Sequence, residues 1–121
     1  MHIHLESVEK NAVQAYSENE VKIDSIIYTR NFFVSASAID ENWQAEHISA
    51  LDEQAIAPLL AQQPEIIILG HKEAGKFPPM QTIQHLANQR IGIECMSIGA
   101  ACRTFNVLLS ENRKVILGIL F

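Results

Sequence analysis

At 121 residues the chain is long enough for one ordinary domain and too short for two. Its 48% hydrophobic and 19% charged residues exclude a disordered chain. A net charge of −5, with nine scattered Lys and Arg, excludes a nucleic-acid binder, which needs a basic face. No apolar run approaches the roughly 20 residues that span a bilayer. The start, MHIHLESVEK, has neither the apolar core of a signal peptide nor the Arg-rich, acid-poor look of a transit peptide. Two cysteines, Cys95 and Cys102, make no disulfide framework and suit a reducing compartment. The expectation is one cytoplasmic domain over residues 1–121.

The first third reads as strands. Ala12–Ser17 leads through the polar turn Glu18-Asn19-Glu20 into Val21–Ile23, a hairpin, and another strand falls near Ser25–Tyr28. Phe32–Ile39 alternates Phe32, Val34, Ala36 and Ala38 on one face, as a single strand would. Asp40-Glu41-Asn42 is a turn, followed by Trp43. Asp52 is an N-cap for a helix with Ala55, Ile56, Leu59 and Leu60 at helical spacing, and Pro58 predicts a kink or two short pieces.

After Pro64, the uncharged β-branched run Ile66–Leu69 predicts a strand buried on both faces. A loop over His71–Pro79 then feeds a helix from Met80 to Gln89. Ile91–Met96 is a strand, Gly99–Asn112 a helix, and Lys114–Leu120 a last strand whose part Ile116–Leu120 is again expected to be buried on both faces. The expected fold is an α/β layered domain with helices covering a largely buried sheet, its N-terminal hairpin region followed by alternating strands and helices.

In an open α/β sheet, ligands sit beyond the carboxyl ends of strands. Two such ends are the loop carrying Gly70, His71, Lys72, Lys76 and Phe77, and the helix start carrying Gly99, Ala100, Cys102, Arg103 and Asn106. Free N–H groups and small side chains at a helix start suit an anion. Close packing of helix on sheet explains Gly99-Ala100-Ala101 more simply. The 70–76 stretch is neither a P-loop nor a dinucleotide fingerprint, because its glycine and lysine spacing is wrong.

Cys102, on the seam with Phe105, Leu108 and Leu109, reads as inert core, and Cys95 as a strand residue. His2 and His4 share a strand face but, at the terminus, read as solvated, and His47 and His85 have no partner visible in the sequence. No metal site or cofactor is implied. His71 is the one histidine with a suggestive position, at a strand end. Arg103 cannot share the Cys102–Phe105 seam. With Asn106 and Ser110 it forms a polar stripe, expected to fix a loop or chain end through its several donors. Gly99→Val is expected to be strongly destabilising by crowding.

"ILGHKEAGKFPP" followed by "IGIECMSIGAACRTFNVLLSENRKVILGILF" resembles an uncharacterised α/β family. That family includes the mitochondrial respiratory complex I assembly factor 3, the adipogenesis-associated domain protein, and bacterial and archaeal single-domain members. Gly70, Phe77, Pro78, Met96, Ala101, Cys102, Arg103, Thr104 and Asn106 match its pattern. The chain departs from it at His71-Lys72 (Thr-Gly in the family), Ser97-Ile98 (Asp-Thr) and Phe105 (Tyr). The resemblance implies a three-layer mixed-sheet fold and no assigned reaction or cofactor.

Three classes of function follow. The leading one is a non-catalytic binding or assembly-assisting protein, with another protein as partner and homo-oligomers open. The second is a small-molecule or anion binder using the cleft between the Gly70–Pro79 loop and the Gly99 helix start. The third is an enzyme using Cys102 or His71, for which no base is visible in the sequence.

Overall fold

The uncharged runs of the sequence fold into the middle of a five-stranded sheet in a computed structural model that describes residues 9–121. The strands are β1 (Val13–Tyr16), β2 (Val21–Ile23), β3 (Ile26–Tyr28), β4 (Phe32–Val34), β5 (Ile39–Asp40), β6 (Ile66–Gly70), β7 (Gly92–Met96) and β8 (Val115–Ile119). The helices are α1 (Glu53–Leu60), α2 (Met80–Asn88) and α3 (Ile98–Ser110), with a 3-10 turn at Ile48–Ala50. The main sheet has the order β5-β4-β8-β6-β7, and β1-β2-β3 form a separate antiparallel sheet. The parallel strands β6, β7 and β8 run in register from Ile66 opposite Gly92 and Val115 to Gly70 opposite Met96 and Ile119. Antiparallel pairing of Phe32 with Ile119 adds β4 and makes the sheet mixed.

All five residues of β8 are buried, as are Ile67–Gly70 of β6, so both runs are central as their composition predicts. Their side chains divide between two cores. Ile68, Leu117 and Ile119 pack with α3 and the small sheet, while Ile67, Leu69 and Ile116 pack with Trp43, α1 and α2. This gives three layers. The crossover β6–α2–β7 moves outward by one strand, and β7–α3–β8 returns across β6. Two crossovers of the same hand running in opposite directions must put their helices on opposite faces, as observed.

Two local expectations are corrected. Phe32–Ile39 is not one strand: the chain reverses after Val34, with Ser35 N–H donating to Ala38 O at 2.8 Å and Val34 pairing with Ile39. Phe32, Phe33 and Val34 are all buried, so the segment that does form a strand has no exposed face. Pro58 does not divide its helix, because α1 runs unbroken through it. The bond lost is the one to Gln54, and both residues lie on the exposed side, where water reaches the freed carbonyl. Asp52 caps α1 as expected, accepting from Ala55 N–H at 2.8 Å. His2 and His4 lie outside the described residues.

Candidate functional site

Since β6 and β7 are adjacent and their outgoing helices lie on opposite faces, the chain parts at their carboxyl ends. A crevice opens there by topology. A cavity of about 440 Å³ occupies it, lined on the loop side by His71, Lys72 and Ala74 and on the helix side by Met96, Ser97, Ile98 and Gly99. The third wall is the β1–β2 turn, with Tyr16, Ser17 and Glu18.

The helix end is well prepared. Ser97 caps α3, its Oγ accepting from Ala100 N–H at 3.3 Å and its carbonyl from Ala101 N–H at 2.8 Å. Among the described residues, the N–H groups of Ile98 and Gly99, the first two of the helix, find no acceptor. No acidic side chain occupies the first turn.

His71 is held by its own loop. Its N–H donates to Met96 O at 3.1 Å, and its Nδ1 accepts from Glu73 N–H at 3.1 Å. That acceptor role puts the proton of the neutral ring on Nε2. The residue is only 8% exposed, and Nε2 has no partner among the described residues but is not sealed from solvent. Burial lowers its pKa below the ordinary histidine value, with the Glu73 carboxylate pulling it part of the way back.

The sequence-derived residues separate into groups. His71, Lys72 and Gly99 meet at the cavity. Gly70 lies beneath it, packed so closely that a Cβ there would stand 2.8 Å from Ala101 Cβ and 2.9 Å from Ile119 Cδ1. The small residues at this point therefore serve helix-on-sheet packing. Lys76 turns back through its N–H to Glu73 O, and Phe77 stands 61% exposed, so neither lines the cavity. Ala100 is half-buried, its N–H taken by Ser97.

Cys102 is fully buried, and burial pushes its thiol up to about 12, so it is sealed core rather than a nucleophile. Arg103 is exposed and donates to Tyr16 Oη at 2.6 Å, its guanidinium 5.8 Å from that ring's centroid. Asn106 bonds both ways with Val13, accepting from its N–H at 2.8 Å and donating to its carbonyl at 2.9 Å. These two side chains fasten the N-terminal sheet to α3. His47 bonds Ser49, and His85 approaches Gln89 and Glu53, both away from the cavity. Sequence reasoning missed the wall of Tyr16, Ser17 and Glu18, which is brought in from about 80 positions away with no local signal.

Fold and cleft define a mixed-sheet α/β domain with a crevice at a crossover reversal. Among the described residues no group of three or more His, Cys, Asp or Glu is placed to hold a metal. The chain belongs to the family of proteins of unknown function DUF498/DUF598, whose pattern matches residues 13–120. It is 30% identical over 89 residues to the 13 kDa major membrane protein of Francisella tularensis subsp. holarctica (strain LVS), spanning 73% of this chain and 72% of that one. An NMR structure of a Xanthomonas campestris protein is 30% identical with a TM-score of 0.83, covering 90% of this chain and 83% of that one. The crystal structure of an outer membrane protein from Bartonella henselae is 25% identical with a TM-score of 0.75, covering 93% and 96%. Among the described residues no helix is long and apolar enough to cross a membrane.

Proposed function

We propose that the chain is a non-catalytic binding protein whose ligand seat is the cleft between the ends of β6 and β7. The observation that carries this reading is the cavity itself, about 440 Å³ at the crossover reversal, walled by the His71 loop, the start of α3 and the β1–β2 turn.

Each hydroxyl around the cleft already accepts one hydrogen bond. Ser97 Oγ caps α3, Ser17 Oγ accepts from Asn19 N–H, and Tyr16 Oη accepts from Arg103. With Cys102 sealed as well, binding accounts for the cleft better than catalysis. Assisting the assembly of a larger complex, the role of one mitochondrial member of the family that the sequence resembles, is the form of this activity in which the bound body is a protein. The free thiols of Cys95 and Cys102 support the cytoplasm as the compartment.

The test is a two-dimensional amide NMR titration against a fragment library. Binders should shift the amides of Gly70–Ala74, Ser97–Gly99 and Tyr16–Glu18 together. Binders that shift only the separate cavity around Lys10, Asn112 and Lys114 would refute this seat.

A further inference from the structure

Among the described residues each of the two sheets ends in two edge strands, and such edges invite pairing with another chain. Three of these four are guarded. β1 is bulged between Val13 and Ala15, and Asn106 takes both backbone groups of Val13. β5 has only two residues. β7 holds the exposed Glu94 at its centre, so two copies paired along its full length would set carboxylates opposite each other. β3 carries no such guard: its Ile26 is 55% exposed and its Ile27 54%.

The hairpin fixes which groups of β3 face outward. Asp24 and Ser25, with φ of 51° and 67°, form its two-residue turn, and Ile23 pairs with Ile26 beside it. Residues that close such a turn bond each other, so the next position, Ile27, points its N–H and C=O away from β2. An antiparallel partner must therefore engage β3 at Ile27. A second copy does so about a two-fold axis at that residue, and the run Asp24-Ser25-Ile26-Ile27-Tyr28-Thr29-Arg30 then meets its own reverse. Ile27 stands opposite Ile27, Ser25 opposite Thr29, and Ile26 opposite Tyr28, whose ring is already stacked on Phe32. At each end the exposed Asp24 turn comes beside the exposed Arg30 of the other copy, so one pair of opposite charges is made twice. This charge match singles out a second copy as the occupant of the edge.

We infer that the chain pairs with a second copy of itself through β3, joining the two small sheets into one of six antiparallel strands. Asp24 of each copy lies beside Arg30 of the other. No residue lining the cleft cavity is on β3, so the pairing does not use the cleft. The seam is short, and the dimer is a weak one, with a dissociation constant on the order of 100 μM.

Sedimentation velocity on the whole chain, from about 10 μM to about 1 mM, should show monomer passing into dimer. Amide NMR over the same range should shift Ser25–Thr29 and leave β7 unmoved. Ile27→Lys sets two like charges opposite each other at the axis and should weaken the dimer about tenfold. That side chain is exposed, so the variant should melt with the parent. Arg30→Asp and Asp24→Lys each bring like charges together at both ends and should each weaken the dimer about threefold. Mixed in equal amounts, these two variants oppose unlike charges at both ends and should associate as tightly as the parent. Should Asp24→Lys loosen its own turn, Ile27→Lys alone decides the matter. A chain that stays monomeric at about 1 mM would overturn the pairing, even where an added extended peptide moves the β3 amides. A dimer that Ile27→Lys leaves intact would place the contact on another face and overturn it too. A mixture no tighter than its separate, well-folded variants would overturn the register that sets Asp24 beside Arg30.

Discussion

Replacing Asn106 with alanine probes how the N-terminal sheet is held. The Asn106 amide stands in for a strand residue, exchanging two hydrogen bonds with the backbone of Val13 at 2.8 and 2.9 Å. Val13 is 7% exposed, so water cannot fully replace either bond. A hydrogen bond contributes about 0.5–1.5 kcal/mol net, and leaving a buried backbone group unpaired costs about 1–3 kcal/mol. The loss for Asn106→Ala is therefore about 2–4 kcal/mol. Unfolding entropy near 2.1 cal/mol/K per residue gives roughly 250 cal/mol/K for a chain of 121 residues. Each kcal/mol then moves the melting temperature by about 4 °C, so the variant should melt about 8–16 °C below the parent. Circular dichroism melts with urea titrations measure this. Asn106→Asp keeps the acceptor for Val13 N–H and loses the donor, so it should fall between the two. An Asn106→Ala melt within about 2 °C of the parent would refute the reasoning, because the sheet would then be held by apolar contact alone.

The two glycines at the helix–sheet junction should behave differently. Gly70→Ala drives a methyl against Ala101 Cβ, Ile119 Cδ1 and Ile98 Cα, where backbone must move, and should cost about 1–3 kcal/mol in urea titrations. At Gly99 a Cβ meets the Tyr16 ring at 2.9 Å and Arg103 Nη1 at 3.2 Å, both on exposed side chains that can swing aside. Gly99→Val should thus cost less than Gly70→Ala, against the severe crowding that the sequence suggests, and the reverse order would show that Tyr16 is rigidly held. Burial raises the Cys102 thiol to about 12 and that of Cys95 to about 11, so native protein should resist Ellman's reagent at pH 8 until denaturant is added. Fast native labelling of Cys102 would contradict its placement. The lowered His71 pKa means that the unfolded chain binds this proton more readily, so its contribution to stability is complete above about pH 6.5 and is lost as pH falls through the folded value. Lys72 and Glu18 in the cavity and Glu73 on the loop are the charges around it; a ring titration by NMR with a midpoint at or above 6.5 would disprove the shift.

What was legible in the sequence was what local chemistry dictates. Ile66–Leu69 and Val115–Ile119 declare a two-sided burial by having no charge, and Asp52 marks a helix start by a side chain that bonds its own backbone. The reversal at Ser35–Ala38 was hidden because Ala36 and Ala38 extend the alternation of Phe32 and Val34 without any glycine or proline to interrupt it. In the candidate site, His71, Lys72 and Gly99 were legible because each follows a recognisable strand end. Tyr16 against Arg103, 87 positions apart, and Val13 against Asn106, 93 apart, were not legible. Such pairs depend on how a whole sheet settles on a helix, and no periodicity records it.

The place of β8 bears on how the molecule is made. It lies between β4 and β6, yet it follows both in the chain. During synthesis Phe32–Val34 and Ile66–Gly70 emerge as two apolar edges with no common partner, and they remain so until Val115–Ile119 leaves the ribosome and slides between them. The five-stranded sheet therefore cannot grow strand by strand from the amino end. Its assembly waits for a final insertion, and the nascent chain must be shielded from other exposed edges until that strand arrives.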